Sequence, residues 1–413
     1  MNASTTLGLS YYAGLGDGRF APPLSANDNF KDIDFISGDL NVQKLVEQST
    51  LSAMRSVNGL LRVGVSKAEQ VWQLLSSRKY RRGPTEFLNS LHQSVIDNVN
   101  LSIVSGQDIE LCISFFPCKL RQPLKTFSKL GSEVDIGELA TLLRLKEICA
   151  AIELITDRHV VFRVLCDGFR YKSCFFDKEA AIKGYVQNIE LLIAHLALKE
   201  NIDLIDESQI YTAEIQELIT NRYFEIFKDY MFKETNEVRF VVNTLLPKII
   251  LNMDIAPELC EIEQMAEFYC RLFENAPGAS NTVLRLAGST CFQEILQTCI
   301  SSACRFLAIN QVLGSEDIGR RLFANSIRCT VHPKPGQLGI HTVNKATSIF
   351  AHCGQGVSSG TEESEIDLKD IRVDFRANLL RKESRPVGIC LDTRLFPFAS
   401  AHHPFVVIDR SLQ

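Results

Sequence analysis

Ile109-Glu110-Leu111-Cys112-Ile113-Ser114-Phe115 runs directly into Phe116-Pro117-Cys118-Lys119. The first stretch is short and apolar, which predicts a buried strand. The second breaks it with a proline and a lysine, and the cations Arg121, Lys125 and Lys129 follow. Val134-Asp135-Ile136-Gly137-Glu138 then opens a helical pattern. A strand that passes through a cationic loop into an acidic helix start sets polar groups at the carboxyl edge of a sheet. Open α/β folds place their ligand sites at that edge.

Working outward, the pattern from 109 to about 210 alternates. A helix over Ile136–Ile155, a strand over Val160–Leu165, a helix over Lys178–Leu198 and a short strand at Ile202–Ile205 follow in turn. This alternation predicts a parallel sheet with crossover helices. Upstream, residues 1–38 are rich in Gly, Ser, Asn and Pro and read as a flexible arm, and 39–104 carry helical periodicity. Residues 211–312 are helical in pattern, with breaks at Pro247, Pro257 and Pro277-Gly278. Strand character returns at Ser326–Val331, Leu338–Val343, Ile371–Leu380, Val387–Leu391 and Phe405–Ile408. The segment Gly354–Glu365 reads as a flexible loop, either a lid or ordinary surface. The expectation is a Rossmann-like α/β protein with a mainly parallel sheet and flanking helices. Its catalytic part spans 105–413 and includes a large helical insertion between two strand-rich halves.

Composition limits the function. The 44 basic and 49 acidic side chains give a net charge of −5, which excludes a chain-wide basic footprint for nucleic acid. No apolar run reaches the roughly 20 residues that span a bilayer. The first residues lack a signal-peptide pattern, so a cytoplasmic location is expected. The 13 cysteines are odd in number and most sit in apolar stretches, so reduced thiols and no metal are expected. Gly14-Leu15-Gly16-Asp17-Gly18 has dinucleotide-like spacing, but Pro22-Pro23 follows where a helix would be needed. The run Arg78-Lys79-Tyr80-Arg81-Arg82 reads as a solvated corner between helices.

Several polar groups could carry chemistry. Lys119 and Lys125 could receive a phosphate or carboxylate, or simply decorate a basic loop. Asp135 and Glu138 have the spacing of a capping box. Asp167-Gly168 after a buried strand is a turn signal and also a place for an acid–base carboxylate, with Arg170 close by. Alternation along Arg328-Cys329-Thr330-Val331-His332 would put cation, hydroxyl and imidazole on one strand face, with Lys334 just beyond. His352-Cys353 and His402-His403-Pro404 are further histidine clusters.

Phe116-Pro117-Cys118-Lys119, Val134-Asp135-Ile136-Gly137-Glu138, Cys166-Asp167-Gly168, Phe176-Asp177-Lys178-Glu179 with Tyr185, and Ser326-Ile327-Arg328-Cys329-Thr330-Val331-His332-Pro333 occur in this order. In these motifs the chain resembles the isonitrile (isocyanide) synthases of the pyoverdine/dityrosine biosynthesis family, as a divergent member. The likeness covers about residues 105–410. It implies a Rossmann-like enzyme of secondary metabolism that uses no metal or organic cofactor. Such enzymes join the α-amine of tyrosine or tryptophan to the ketone of ribulose 5-phosphate, the co-substrate, and leave N≡C on the amino acid. The resemblance implies Lys119, Asp167, His332 and Glu138 as catalytic groups. Arg328, Lys125, Arg170, Asp135 and Lys334 are implied as substrate and phosphate contacts. It also implies an iron(II)/2-oxoglutarate oxygenase as pathway partner. The alternatives are another C–N or C–C bond-forming reaction with a phosphorylated sugar, and a non-catalytic ligand-binding protein.

Overall fold

The computed structural model describes residues 33–119, 126–128, 130–175, 179–206, 212–246, 249, 290–315, 322–333, 335–343, 349–359, 366–376, 379, 386–401 and 403–409. The Gly14–Gly18 motif, Arg121, Lys125, Lys129, Phe176-Asp177-Lys178, Lys334, His402 and the breaks at 247, 257 and 277–278 lie outside them. The chain divides into two compact units. One comprises Asp32–Asp167, Ala180–Asp206 and Ile318–Gln413; the other includes Gly168–Glu179 and Glu207–Asp317.

The first unit holds two five-stranded sheets. In one, β2 (Ile109–Phe115), β3 (Val160–Cys166), β4 (Ile202–Asp206), β5 (Ile327–Thr330) and β6 (Leu338–Gly339) lie in the order β4-β3-β2-β5-β6. Every pairing in it is parallel. Counted within this sheet alone, the spatial order is 3-2-1-4-5, that of doubly wound Rossmann folds. The chain builds outward from β2 to β4 and then returns to β2's other side, so the topological switch point lies between β2 and β5. Strands β2 and β3 read as apolar runs because a parallel sheet buries both faces.

The helix Ile136–Thr156 crosses from β2 to β3 and is buried nearly all round. It packs against the helix Val42–Asn58, and the Ser49 hydroxyl donates to Leu143 O at 2.8 Å. Residues 39–104 also supply the helices Lys67–Leu75 and His92–Ser105. Gly106 ends the latter at φ 74°, a left-handed cap that favours glycine. The second unit is helical where described, with Ala213–Phe232, Asn236–Phe240 running into a π-turn at Val241–Leu245, and Thr290–Ser315. None of the described helices is long and apolar enough to cross a membrane.

The other sheet corrects several expectations. Asp34–Gly38, assigned above to the flexible arm, is strand β1 and pairs in parallel with β9 (Val387–Leu391). It is an edge strand with mostly exposed side chains, so no apolar run marks it. Gln355–Ser358, assigned to a loop or lid, is strand β7, buried between β8 (Ile371–Asp374) and β10 (Val406–Ile408). Its Gly-Ser composition hides it because its place is set by close backbone approach. A Cβ on Gly356 would come within 2.5 Å of Gly137 N. Strand β8 stops at Asp374, short of the expected Leu380, because Arg376 and Leu379 are helical.

Candidate functional site

Phe116 follows β2 with φ 60°, a left-handed conformation costly for a residue with a Cβ. This turn redirects the chain, and Lys119 N then donates to Gly131 O at 3.0 Å. The Lys119 side chain is fully buried. Its ammonium has three donors, and three groups receive them: Asp135 Oδ2 at 2.7 Å, Glu138 Oε1 at 2.9 Å and Ala351 O at 2.7 Å.

Asp135 and Glu138 form the expected capping box. Gly137 N donates to Asp135 Oδ1 at 2.7 Å, and Asp135 N donates to Glu138 Oε2 at 2.9 Å. Both carboxylates do more than cap. Gly356 N from β7 donates to Asp135 Oδ2 at 3.0 Å, and the Tyr185 hydroxyl donates to Glu138 Oε1 at 2.9 Å. The buried His403 Nε2 lies 3.9 Å from Asp135 Oδ2. Ile136 N donates to Phe405 O at 2.8 Å, beside β10. The cluster therefore joins the end of β2 and the start of the central helix to the second sheet.

Its electrostatics are set by two acids around one cation. Burial opposes charge on Lys119, but Asp135 and Glu138 outweigh it and hold the ammonium more firmly protonated than usual. Burial also works against a charged Asp135, yet Lys119 and His403 keep it well below the carboxylate range. Glu138 takes the opposite course. Burial and the charge of Asp135 push it up to about 8, with Lys119 only partly offsetting them. Near neutral pH the cluster thus holds one cation, one anion and a carboxyl that keeps its proton. Burial and the neighbouring Glu138 raise Tyr185 well above its usual range, so it remains a donor.

Lys119 also fixes what stands in front of the switch point. Through Ala351 O it holds the turn Phe350-Ala351-His352. The Phe350 ring lies 4.7 Å from His332, which follows β5, and 6.2 Å from Phe115, which ends β2. The half-buried His352 stacks on Phe350 at 5.8 Å with a 9° interplanar angle. His352 also meets Phe115 edge-on at 5.3 Å. The Arg82 guanidinium lies over Phe350, 4.6 Å from its centroid. Two imidazoles and a guanidinium therefore surround one aromatic ring where β2 and β5 end. Parallel α/β sheets bind ligands there.

The residues expected for a site are placed unequally. Lys119, Asp135 and Glu138 come together as one buried cluster. His332 is exposed at the crevice, but β5 ends at Thr330, so it does not share a strand face with Arg328 as expected. Instead His332 N donates to Thr330 Oγ1 at 3.1 Å. Arg328 sits mid-strand, its Nη1 3.8 Å from Cys112 Sγ on β2. Asp167 is half-buried directly after Cys166, which pairs with Phe115, and so stands at the same carboxyl edge. Arg170 falls in the helix Gly168–Phe175 of the other unit, over the Tyr171 ring.

Arg82 and His352 were missed as site residues. Of the basic run at 78–82, only Arg78 is exposed. Tyr80 is fully buried, Lys79 pairs with the buried Glu147, and Arg81 bridges to Ile340. The solvated-corner reading is thereby corrected: the run is tied down by partners far along the chain that no local charge count reveals. Among the described residues, no group of three or more His, Cys, Asp or Glu is placed to hold a metal.

Comparison with known proteins agrees with this fold. The structure matches the crystal structure of the PvcA protein from Pseudomonas aeruginosa with a TM-score of 0.54 and 16% identity. The match covers 76% of this chain and 94% of that one. A tyrosyl-tRNA synthetase from Aeropyrum pernix aligns over 63% of this chain and 98% of its own, at 10% identity and a TM-score of only 0.24. No curated protein is significantly similar in sequence. The family model of the pyoverdine/dityrosine biosynthesis proteins matches residues 99–350, from the helix before β2 to the Phe350 that faces the switch point. With well over half its length inside that match, the chain belongs to the pyoverdine/dityrosine biosynthesis protein family.

Proposed function

We propose that this chain is an amino-acid isonitrile synthase. It joins the α-amine of a tyrosine- or tryptophan-type amino acid to the ketone carbon of ribulose 5-phosphate, and loss of water, phosphate and the remaining sugar carbons from the imine leaves N≡C on the amino acid. The observation that carries the reading is the crevice of His332, His352 and Arg82 at the β2–β5 switch point, in a chain of this family. Condensing an amine with a ketone and then fragmenting the adduct requires repeated proton transfer beside anionic substrate groups.

His332 is exposed at the crevice and is assigned proton transfer, with Asp167 on the neighbouring strand end as a second acid–base group. Lys119 is enclosed by its partners and acts as a positioning residue, holding Phe350 and His352 through Ala351 O. Glu138 keeps a proton within the same network. Arg328, Arg170, Lys125 and Lys334 remain assigned to substrate anions by the family likeness, and Asp135 to orienting the lysine. No metal or organic cofactor is assigned.

The test is to incubate the pure protein with ribulose 5-phosphate and each amino acid in turn. Mass spectrometry should show an amino acid that has gained one carbon and lost two hydrogens. Failure with every amine offered would refute the assignment. Turnover to a different adduct would move it to another C–N bond-forming reaction.

A further inference from the structure

His403 is only 1% exposed, yet neither of its ring nitrogens makes a hydrogen bond among the described residues. Gln355, fully buried on β7, likewise leaves its Oε1 without a partner there. Buried polar groups are almost always hydrogen-bonded, and one left over costs stability. Two such side chains side by side break the rule where functional sites break it. Looseness of the chain does not explain them. Gln355 Nε2 donates to Pro404 O at 3.1 Å, and Phe405 N donates to Ile389 O at 2.7 Å. Phe405 O in turn accepts Ile136 N at 2.8 Å, so the segment that carries His403 is pinned to β7, to β9 and to the first turn of the central helix. The ring is thereby set against the Lys119 cluster, with Nε2 at 3.9 Å from Asp135 Oδ2. A hydrogen bond needs about 3 Å. That same oxygen already receives Lys119 Nζ at 2.7 Å and Gly356 N at 3.0 Å. A second acid also feels the imidazole. Burial opposes charge on Glu133, but the Ser128 hydroxyl and then His403 hold it below its usual range.

We propose that His403 is a positioning residue of the site, whose Nε2–H closes onto Asp135 Oδ2 when substrate enters the crevice. Hydrogen bonds of reaction sites are often long at rest and tighten on binding. The third bond fixes Asp135, Asp135 fixes Lys119, and Lys119 through Ala351 O fixes Phe350 and His352 at the crevice. The imidazole itself stays away from the reacting atoms. Only the identity of the reaction rests on the isonitrile-synthase reading; the positioning role rests on the geometry.

Three variants of the full chain test this: His403→Leu, His403→Gln and His403→Asn. Each is assayed for melting temperature, and for kcat and KM with ribulose 5-phosphate and the amino acid that the unaltered protein converts. A glutamine amide nitrogen stands near the place of Nε2, and an asparagine one near that of Nδ1. His403→Leu should lower kcat by roughly 10–100-fold, the loss that goes with a displaced supporting group, while KM changes less than about threefold. Its melting temperature should lie no more than about 5 °C below that of the unaltered protein, because the imidazole makes no hydrogen bond at rest. His403→Gln should restore most of the lost kcat, and His403→Asn should not. Full kcat in His403→Leu overturns the proposal, as does rescue by Asn equal to that by Gln. A larger fall in melting temperature also overturns it, since His403 would then serve the fold. If the unaltered protein makes no isonitrile, the synthase reading falls and the melting temperatures alone decide. His403→Leu within the 5 °C bound then supports the positioning role, and a larger fall overturns it.

Discussion

Replacing Lys119 with Met removes the one cation from a site where Lys119, Asp135 and Glu138 are all fully buried. Bonds of 2.7 Å to Asp135, 2.9 Å to Glu138 and 2.7 Å to Ala351 O disappear together. Met fills most of the volume, so the cost is electrostatic. Removing one partner of a buried ion pair costs about 3–5 kcal/mol, because the other charge stays without compensation. The cost must depend on pH. Without the ammonium, Glu138 loses the charge that partly offsets its rise and Asp135 loses the main cation that holds it low, so both bind protons more readily than in the native protein. A raised carboxyl contributes stability that is lost as pH climbs from the unfolded range through the folded value. The K119M deficit is therefore larger at pH 8 than at pH 5.5. Trp72 is the single tryptophan and lies in the same unit, in the helix Lys67–Leu75, so its fluorescence reports unfolding there. The urea midpoint should fall by roughly 1–2 M at pH 8. Adding Glu138→Gln should recover part of the loss by removing one stranded acid. A deficit equal at both pH values, or a double variant no more stable than K119M, would refute the reasoning.

Three further outcomes are expected. Glu138→Gln alone should flatten the decline of melting temperature between about pH 4.5 and 8. In the native protein Glu138 holds a proton up to about 8 that the unfolded chain releases near 4.5, so stability falls across that window. An unchanged slope would remove Glu138 as its source. Gly356→Ala should lower stability by about 2–3 kcal/mol in urea unfolding, since its Cβ would lie 2.5 Å from Gly137 N and 2.6 Å from Asp135 Oδ1. A midpoint equal to wild type would show that β7 can retreat from the helix start. His332→Ala should reduce turnover by roughly 10²–10⁴ with an unchanged melting temperature, as befits an exposed proton-transfer group. A loss of less than about threefold would exclude it from that role.

What could be read from sequence was what depends on neighbours in sequence. Strands β2 and β3 are continuous apolar runs because both faces of a parallel sheet are covered. The Asp135–Glu138 capping box shows in three-residue spacing and forms as read. Lys119 was legible as a motif but not as an environment. Its proline and cationic neighbours suggested a group offered to ligand, whereas its partners are 16, 19 and 232 residues away and enclose it. Arg82 was hidden for the same reason, since its place depends on pairing with Gly339 and on Phe350. Strand β7 failed on composition. Gln355-Gly356-Val357-Ser358 lacks the apolar alternation of a strand because Gly356 must let the helix start approach.

The reach of these bonds also orders events during synthesis. Asp135 leaves the ribosome long before Ala351, Gly356 and Phe405, which complete its surroundings. At ordinary translation speeds the interval is on the order of 10–50 s. Through that time the nascent chain carries Lys119, Asp135 and Glu138 with part of their hydrogen bonding supplied only by water. These fully buried groups are thus sealed late, by residues from the far end of the chain. A fault in β7 or β10 would therefore be felt more than 200 residues upstream, at the turn that follows β2.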